Sequence, residues 1–167
     1  MKTTNTSRTM AAIAVILGVS PAHGATALTA DRILVEKAAH RLTLFYKGER
    51  VKSYKVSLGR SLAPKERQGD GRTPEGLYRI DFRKPDSSYH RALHISYPDD
   101  RDKARAAAGS YDPGGDIMIH GIRNGLGWLG RLHRLRDWTA GCVAVTDKEI
   151  EEIWDAVPDG VEVEIRP

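Results

Sequence analysis

The stretch DIMIHGIRNGLGWLGRLHRLRDWTAGCVAV, residues 116–145, decides how this chain is read. Both of its ends are apolar and largely β-branched, Asp116 to Gly121 and Val143 to Val145, which is the composition of buried strands. The first strand ends in His120-Gly121, and Gly141-Cys142 leads into the second. Between them the leucines at 126, 129, 132 and 135 recur every three residues around Trp128, so a short helical segment is expected. It either covers the core or forms one wall of a cleft, and His133 on it is read as a surface residue. Arg131, Arg134 and Arg136 cluster there, either as a solvated face or as contacts for substrate carboxylates.

Cys142 is the only cysteine in 167 residues. Exported proteins usually carry paired cysteines, because an unpaired thiol is open to oxidation, so a single thiol kept outside the cytoplasm points to reactivity. A thiol nucleophile needs a base, and a histidine at a strand end can be one. The residues alone leave a second reading open, in which the cysteine is a small buried hydrophobe and the histidine a satisfied edge residue.

Upstream, residues 32–36, 41–46 and 51–58 alternate near period two, with Lys47-Gly48-Glu49 as the turn between the last pair, which predicts an opening β-meander. Gly59 to Thr73 is polar and reads as a loop whose Gly69 and Gly71 serve turns, since no strand-to-helix phosphate loop surrounds them. Leu77 to Phe82 and Ala92 to Ser96 are further strands. His90 and His94 are four apart but lie in strand-like alternation without an intervening glutamate, so no metal site is expected of them. Asp99 to Ala108 reads as a short helix with acidic residues at its start and Gly109 past its end. Downstream, Thr146-Asp147-Lys148-Glu149 is a capping box. Ile150, Ile153, Trp154 and Val157 then share one buried face of a helix, before a last strand from Val161 to Ile165.

The N-terminus carries Lys2 and Arg8, an apolar run from Met10 to Val19, and Ala22-His23-Gly24, the pattern of a secretory signal peptide over residues 1–24. Ten apolar residues are too few to cross a bilayer of about 30 Å, so no stable membrane insertion is expected. Without that segment, 24 basic residues face 22 acidic ones. A charge of about +2, with no basic stripe, excludes the usual nucleic-acid binder. Residues 25–167 suit one domain, exported to the periplasm or cell envelope.

The order His120-Gly121, about twenty residues, then Thr139-Ala140-Gly141-Cys142 resembles the active-site signature of the L,D-transpeptidase catalytic domain (YkuD-type), in its Thr-x-Gly-Cys form. Thr73-Pro74-Glu75-Gly76 is similar to the family's Thr-Pro-x-Gly segment, and the resemblance runs from about Asp31 to Pro167. It implies a mostly β, β-rich α+β fold, a β-sandwich of mixed sheets with a few short helices. It also implies Cys142 as nucleophile, His120 as base, and the Gly121 carbonyl orienting the imidazole. Gly141, Thr139, Ala140 and Arg123 are the implied oxyanion or substrate-binding residues. No metal and no cofactor are implied. The implied partners are peptidoglycan stem peptides and a wall-linked lipoprotein, and the activity is peptidoglycan cross-linking or remodelling, with hydrolysis of wall-peptide or wall-lipoprotein linkages as the alternative. Two departures matter: Ala140, and Ala144 where many members carry arginine or asparagine. They leave room for a catalytically weak wall-binding module.

Overall fold

Why the chain folds as it does is seen first in its hairpins. In the computed structural model, which describes residues 28–167, β1 (Arg32–Glu36), β2 (Arg41–Tyr46) and β3 (Glu49–Lys55) form the expected meander. The turn between β2 and β3 is only Lys47-Gly48, both at positive φ (52° and 82°), the backbone that matches the twist of a two-residue hairpin. The expected signal peptide lies outside the described residues. Among the described residues, no helix is long and apolar enough to cross a membrane.

The remaining strands are β4 (Gly76–Ser87), β5 (His90–Ile95), β6 (Met118–His120), β7 (Val143–Ala144) and β8 (Glu162–Arg166). All eight form one mixed sheet in the order β3-β2-β1-β8-β4-β5-β6-β7, so the two layers of the expected sandwich are halves of a single sheet joined through β4. The sheet curls until its edges meet: past the end of β3, Ser57 pairs with Ala144 of β7 through reciprocal N–H···O bonds of 2.9 and 2.8 Å. Closure of that kind removes exposed strand edges. The core draws Ile33, Leu42 and Leu44 from one half and Leu93, Ile119 and Val143 from the other.

β4 runs five residues beyond the expected Leu77–Phe82 strand, through Pro85. A proline is tolerated there because β8 leaves β4 at Arg79 and the pairing with β5 shifts between Lys84 and Ser87, so Pro85 sits at a bulge on an open edge. The helix α1 (Asp100–Ala108) is capped by Asp99 in a reciprocal box with Asp102. The helix α2 (Asp147–Ala156) is capped by the expected Thr146–Glu149 box, and it buries Ile150 and Ile153. Trp154 is only partly buried, not a core residue: its ring carries the guanidinium groups of Arg83 and Arg91 at 4.8 and 5.0 Å.

The segment Gly59 to Thr73 is the expected loop, and it is stapled down. Lys37, with no exposed surface, donates from Nζ to Ala63 O (3.2 Å), Thr73 O (3.0 Å) and Glu75 Oε1 (2.8 Å), while Lys65 is held by Asp70 at 2.9 Å. One further expectation needs correction, that of the leucine segment. The helical segment at Gly127–Leu135 is a 3-10 helix, and it does not cover the core: Trp128, Leu132 and Leu135 are 77, 60 and 83% exposed. Its buried residue is His133, which sequence reasoning put at the surface.

Candidate active site

The spacing between His120 and Cys142 has a topological cause. β6 and β7 are parallel neighbours, and parallel neighbours cannot be joined by a tight turn; they need a crossover of a dozen or more residues. Residues 121–142 are that crossover. The register pairs Ile119 with Val143 and His120 with Ala144. Side chains alternate along strands, so Cys142 shares a face of the sheet with Met118, His120 and Ala144. A cavity of about 460 Å³ opens on that face, lined by Cys142, His120, Thr139 and Ala140. The structure therefore brings four of the expected site residues together. Arg123 is not among them: it lines a neighbouring cleft.

His120 is buried, 4% exposed, and its Nδ1 lies 2.6 Å from Gly121 O. A carbonyl can only accept, so Nδ1 carries the proton and Nε2 keeps its lone pair. The Gly121 peptide is itself held. Its N–H bonds Tyr89 O at 3.1 Å, and the next N–H, of Ile122, donates to Asp147 Oδ1 at 2.8 Å on the first turn of α2. Helix and strand pack so closely there that a Cβ on Gly121 would meet Asp147 Oδ1 at 2.8 Å and His90 Cβ at 3.0 Å.

The loop before Cys142 is folded on itself by Thr139. Its hydroxyl donates to Cys142 O (2.8 Å) and accepts from Gly141 N–H (3.2 Å), while Thr139 N–H bonds Leu58 O at 3.1 Å. Gly141 has φ +132° and lies against the Arg72-Thr73 segment, where a Cβ would be 2.6 Å from Arg72 O. The Thr73 hydroxyl accepts from Gly59 N–H at 3.0 Å. Thus the Thr-Pro segment, far from Cys142 in sequence, forms the floor under the glycine that precedes it.

Sequence reasoning missed several residues of this cavity. Tyr89 and Trp138 set their ring centroids 4.6 and 5.8 Å from that of the His120 imidazole. Trp138 stands next to the Thr139–Cys142 motif and could have been suspected, whereas Tyr89 comes from the β4–β5 hairpin and carries no local signal. Arg60, Lys84 and Asp116 also line the cavity. Neither Arg60 nor Lys84 has a carboxylate partner among the described residues. The expected arginine cluster lies elsewhere: Arg134 is paired to Glu149, Arg136 lines the same cleft as Arg123, and Arg131 lines a third. His90 and His94, four apart, are engaged separately by Glu151 and Asp81, both at 2.6 Å. Among the described residues, no cluster of three ligand-type side chains could hold a metal ion.

Burial is the main electrostatic influence on the pair. It pushes the Cys142 thiol up and Asp116 adds to that, against smaller opposing effects from the Met118 N–H and Lys65. It pulls His120 below the ordinary imidazole range, against the Gly121 hydrogen bond. Both shifts favour the proton on sulfur over the imidazole. Such an arrangement can perform acyl transfer in which the imidazole takes the proton as sulfur attacks a carbonyl carbon.

Known proteins resemble the chain in sequence and in fold. The L,D-transpeptidase catalytic domain family (YkuD) matches residues 30–165. YafK of Escherichia coli (strain K12) is 34% identical over 132 residues, which are 75% of this chain and 46% of YafK, so the chain spans under half of that relative. Two solved structures share the fold. The helical cell shape determining protein Pgp2 of Campylobacter jejuni gives a TM-score of 0.63 at 24% identity over 80% of this chain and 46% of Pgp2. An L,D-transpeptidase from Mycobacterium smegmatis gives 0.55 at 15% identity over 81% of this chain and 58% of that one. The match extends from before β1 to within β8 and takes in both strands that carry the site: the chain belongs to the L,D-transpeptidase catalytic domain family.

Proposed function

We propose that the protein is a cysteine-dependent acyltransferase of the bacterial cell wall, acting on peptidoglycan stem peptides through a thioester on Cys142. The observation that carries this reading is the shared cavity of Cys142 and His120, with Nδ1 of the imidazole tied to Gly121 O and Nε2 left with its lone pair. Sγ adds to the carbonyl carbon of the peptide bond while His120 Nε2 takes the thiol proton. The carbon–nitrogen bond then breaks, and the imidazolium returns that proton to the departing amine. The thioester left behind is attacked by a second amine or by water, which gives its proton to His120, and the thiolate leaves to be reprotonated. The N–H groups of Cys142 and Gly141 serve the tetrahedral oxygen; the bond from Gly141 to Thr139 is long at 3.2 Å, so an oxyanion can compete for it. We assign residues 1–24 as an export signal, residues 25–167 as one catalytic domain, and the cell envelope as its location.

Hydrolysis is the favoured outcome, and Ala144 motivates it. Its backbone pairs with Ser57, it lies beside His120 in the sheet, and it is fully buried, so it offers no group to a substrate carboxylate. Arg60 and Lys84, which line the cavity without a carboxylate partner among the described residues, take that role. With the donor held from the cavity wall rather than from beside the nucleophile, water competes well as acceptor.

Two measurements test the reading. Incubation with a carbapenem should give a covalent mass adduct that disappears in Cys142→Ala; absence of any adduct favours a wall-binding module. Incubation with a disaccharide-tetrapeptide should yield cleaved monomers in excess of cross-linked dimers. A dominance of dimers would overturn the inference from Ala144 and leave an ordinary cross-linking transpeptidase.

A further inference from the structure

A second cleft, of about 440 Å³, adjoins the reaction cavity across Tyr89 and Trp138, which line both. Its wall is aliphatic, built by Ile122, Leu126, Leu129, Leu132 and Leu135. Leucines left this exposed on a folded surface mark a contact site rather than a core.

One polar group in the cleft lacks a partner. His133 is 7% exposed, and Trp138 Nε1–H lies 3.4 Å from its Nδ1. An indole nitrogen only donates, so Nδ1 holds the lone pair and Nε2 carries the proton. Burial, reinforced by the Arg134 charge, lowers the His133 pKa to about 4, so the ring is neutral near pH 7. Nε2–H is therefore a buried donor with no acceptor among the described residues. Native structures rarely leave such a group unmatched; the atom is closed to solvent, so an acceptor entering the cleft meets it only once the imidazole turns outward. At the rim, Arg123 and Arg136 have no carboxylate partner among the described residues, in contrast to Arg134 on Glu149.

We propose that this cleft docks an acidic polypeptide segment, with an aliphatic side chain among the leucines, a backbone carbonyl on His133 Nε2–H, and a carboxylate on Arg123 and Arg136. A lipid tail would fill the same wall but leave the imidazole donor unpaired. The proposal rests on the cleft itself and not on the chemistry of Cys142, so it can fail without touching the proposed reaction.

The test uses the purified protein with ¹⁵N-labelled histidine and three randomised N-acetyl decapeptide mixtures, composed of Glu with Leu, Lys with Leu, and Glu with Ser. The expected result is binding of the Glu/Leu mixture at least tenfold tighter than either other mixture, with a shift of the His133 Nε2–H resonance. Leu132→Asp should weaken that binding at least tenfold while circular dichroism and carbapenem acylation stay at wild-type level, since Leu132 is 60% exposed and lies outside the Cys142 cavity. Paired Arg123→Ala and Arg136→Ala substitutions should erase the preference for Glu over Lys. The proposal is overturned by equal binding of the three mixtures, by no binding, or by insensitivity to Leu132→Asp. It is overturned equally if a disaccharide-tetrapeptide moves the His133 resonance more strongly than the Glu/Leu mixture, which would make the cleft part of the substrate groove. Capture of phosphatidylglycerol vesicles in place of the peptides would make it a lipid site and sink the proposal too.

Discussion

At the scale of single residues, the proposed chemistry turns on which of two atoms holds one proton. Burial raises the thiol of Cys142 and lowers the imidazole of His120, which favours the proton on sulfur. The consequence for pH has two signs. A base whose pKa is lowered stays unprotonated further into acid, so the acid limb of kcat/KM should fall below the ordinary histidine value of about 6.5. A thiol whose pKa is raised ionises later, so alkylation of Cys142 by iodoacetamide should have its midpoint above about 8.5. Stopped-time mass measurement of alkylation across pH 5–10 checks the second; a midpoint near 6 would mean a preformed thiolate–imidazolium pair instead. Cys142→Ala should abolish turnover with the fold intact by circular dichroism, and His120→Ala should slow it by roughly 10²–10⁴.

At the scale of elements, the site depends on α2 as much as on the strands that carry it. Asp147, in the first turn of that helix, accepts the Ile122 N–H and sits 2.8 Å from where a Cβ on Gly121 would be. It thereby fixes the peptide whose carbonyl holds His120. Asp147→Ala should leave the Ile122 N–H unsatisfied and cost about 1–3 kcal/mol in urea unfolding. Turnover should also fall, because the imidazole loses its orientation, and Asp147→Asn should restore much of both through its amide oxygen. Full activity of Asp147→Ala would show that the Gly121 carbonyl needs no such support. The 3-10 segment Gly127–Leu135 works differently. Its leucines face a cleft rather than the core, so substitutions at Leu132 or Leu135 should leave stability nearly unchanged.

At the scale of the whole molecule, one buried ammonium ties the long loop to the sheet. Lys37 follows β1 and holds Ala63, Thr73 and Glu75, and Thr73 in turn bonds Gly59, so the floor beneath Gly141 hangs on that lysine. Lys37→Met should destabilise the fold by about 3 kcal/mol, because removing one member of a buried pair strands the other's partners. Urea unfolding measures this, and an effect under 0.5 kcal/mol would show that the loop holds itself. Stability should also fall in acid. His133 titrates near 4 in the fold against about 6.5 for a free imidazole, so between those values the unfolded chain binds a proton that the folded one does not. Its contribution is complete above about pH 6.5 and is lost as pH falls toward 4. His133→Phe should flatten the drop in urea midpoint between pH 7 and pH 4.5.

Much of this was legible in the chain itself. The period-two segments from Arg32 to Leu58, the capping boxes at Asp99 and Thr146, and the strand ends at His120 and Cys142 are local signals, and local backbone preference is enough to place them. The interval from His120 to Cys142 was legible as a family signature; its physical cause, the crossover that a parallel pair requires, is seen only in the sheet. What stayed hidden involves residues distant in sequence whose contacts only packing creates. Leucines recurring every three residues read alike whether they face a core or a cleft, and only the curl of the sheet turned them outward and His133 inward. Nothing local marks Tyr89 or Lys84 as neighbours of Cys142, because β5 must first lie between β4 and β6. The arginines nearest Cys142 in sequence were open to a solvated or a substrate-facing role; the crossover carries them to other clefts, and Arg60 and Lys84 line the cavity instead. Periodicity and capping determined the elements, and the lone cysteine and the family resemblance singled out Cys142 and His120; the environment that sets their proton, and the cations that line their cavity, were decided by long-range pairing of the sheet.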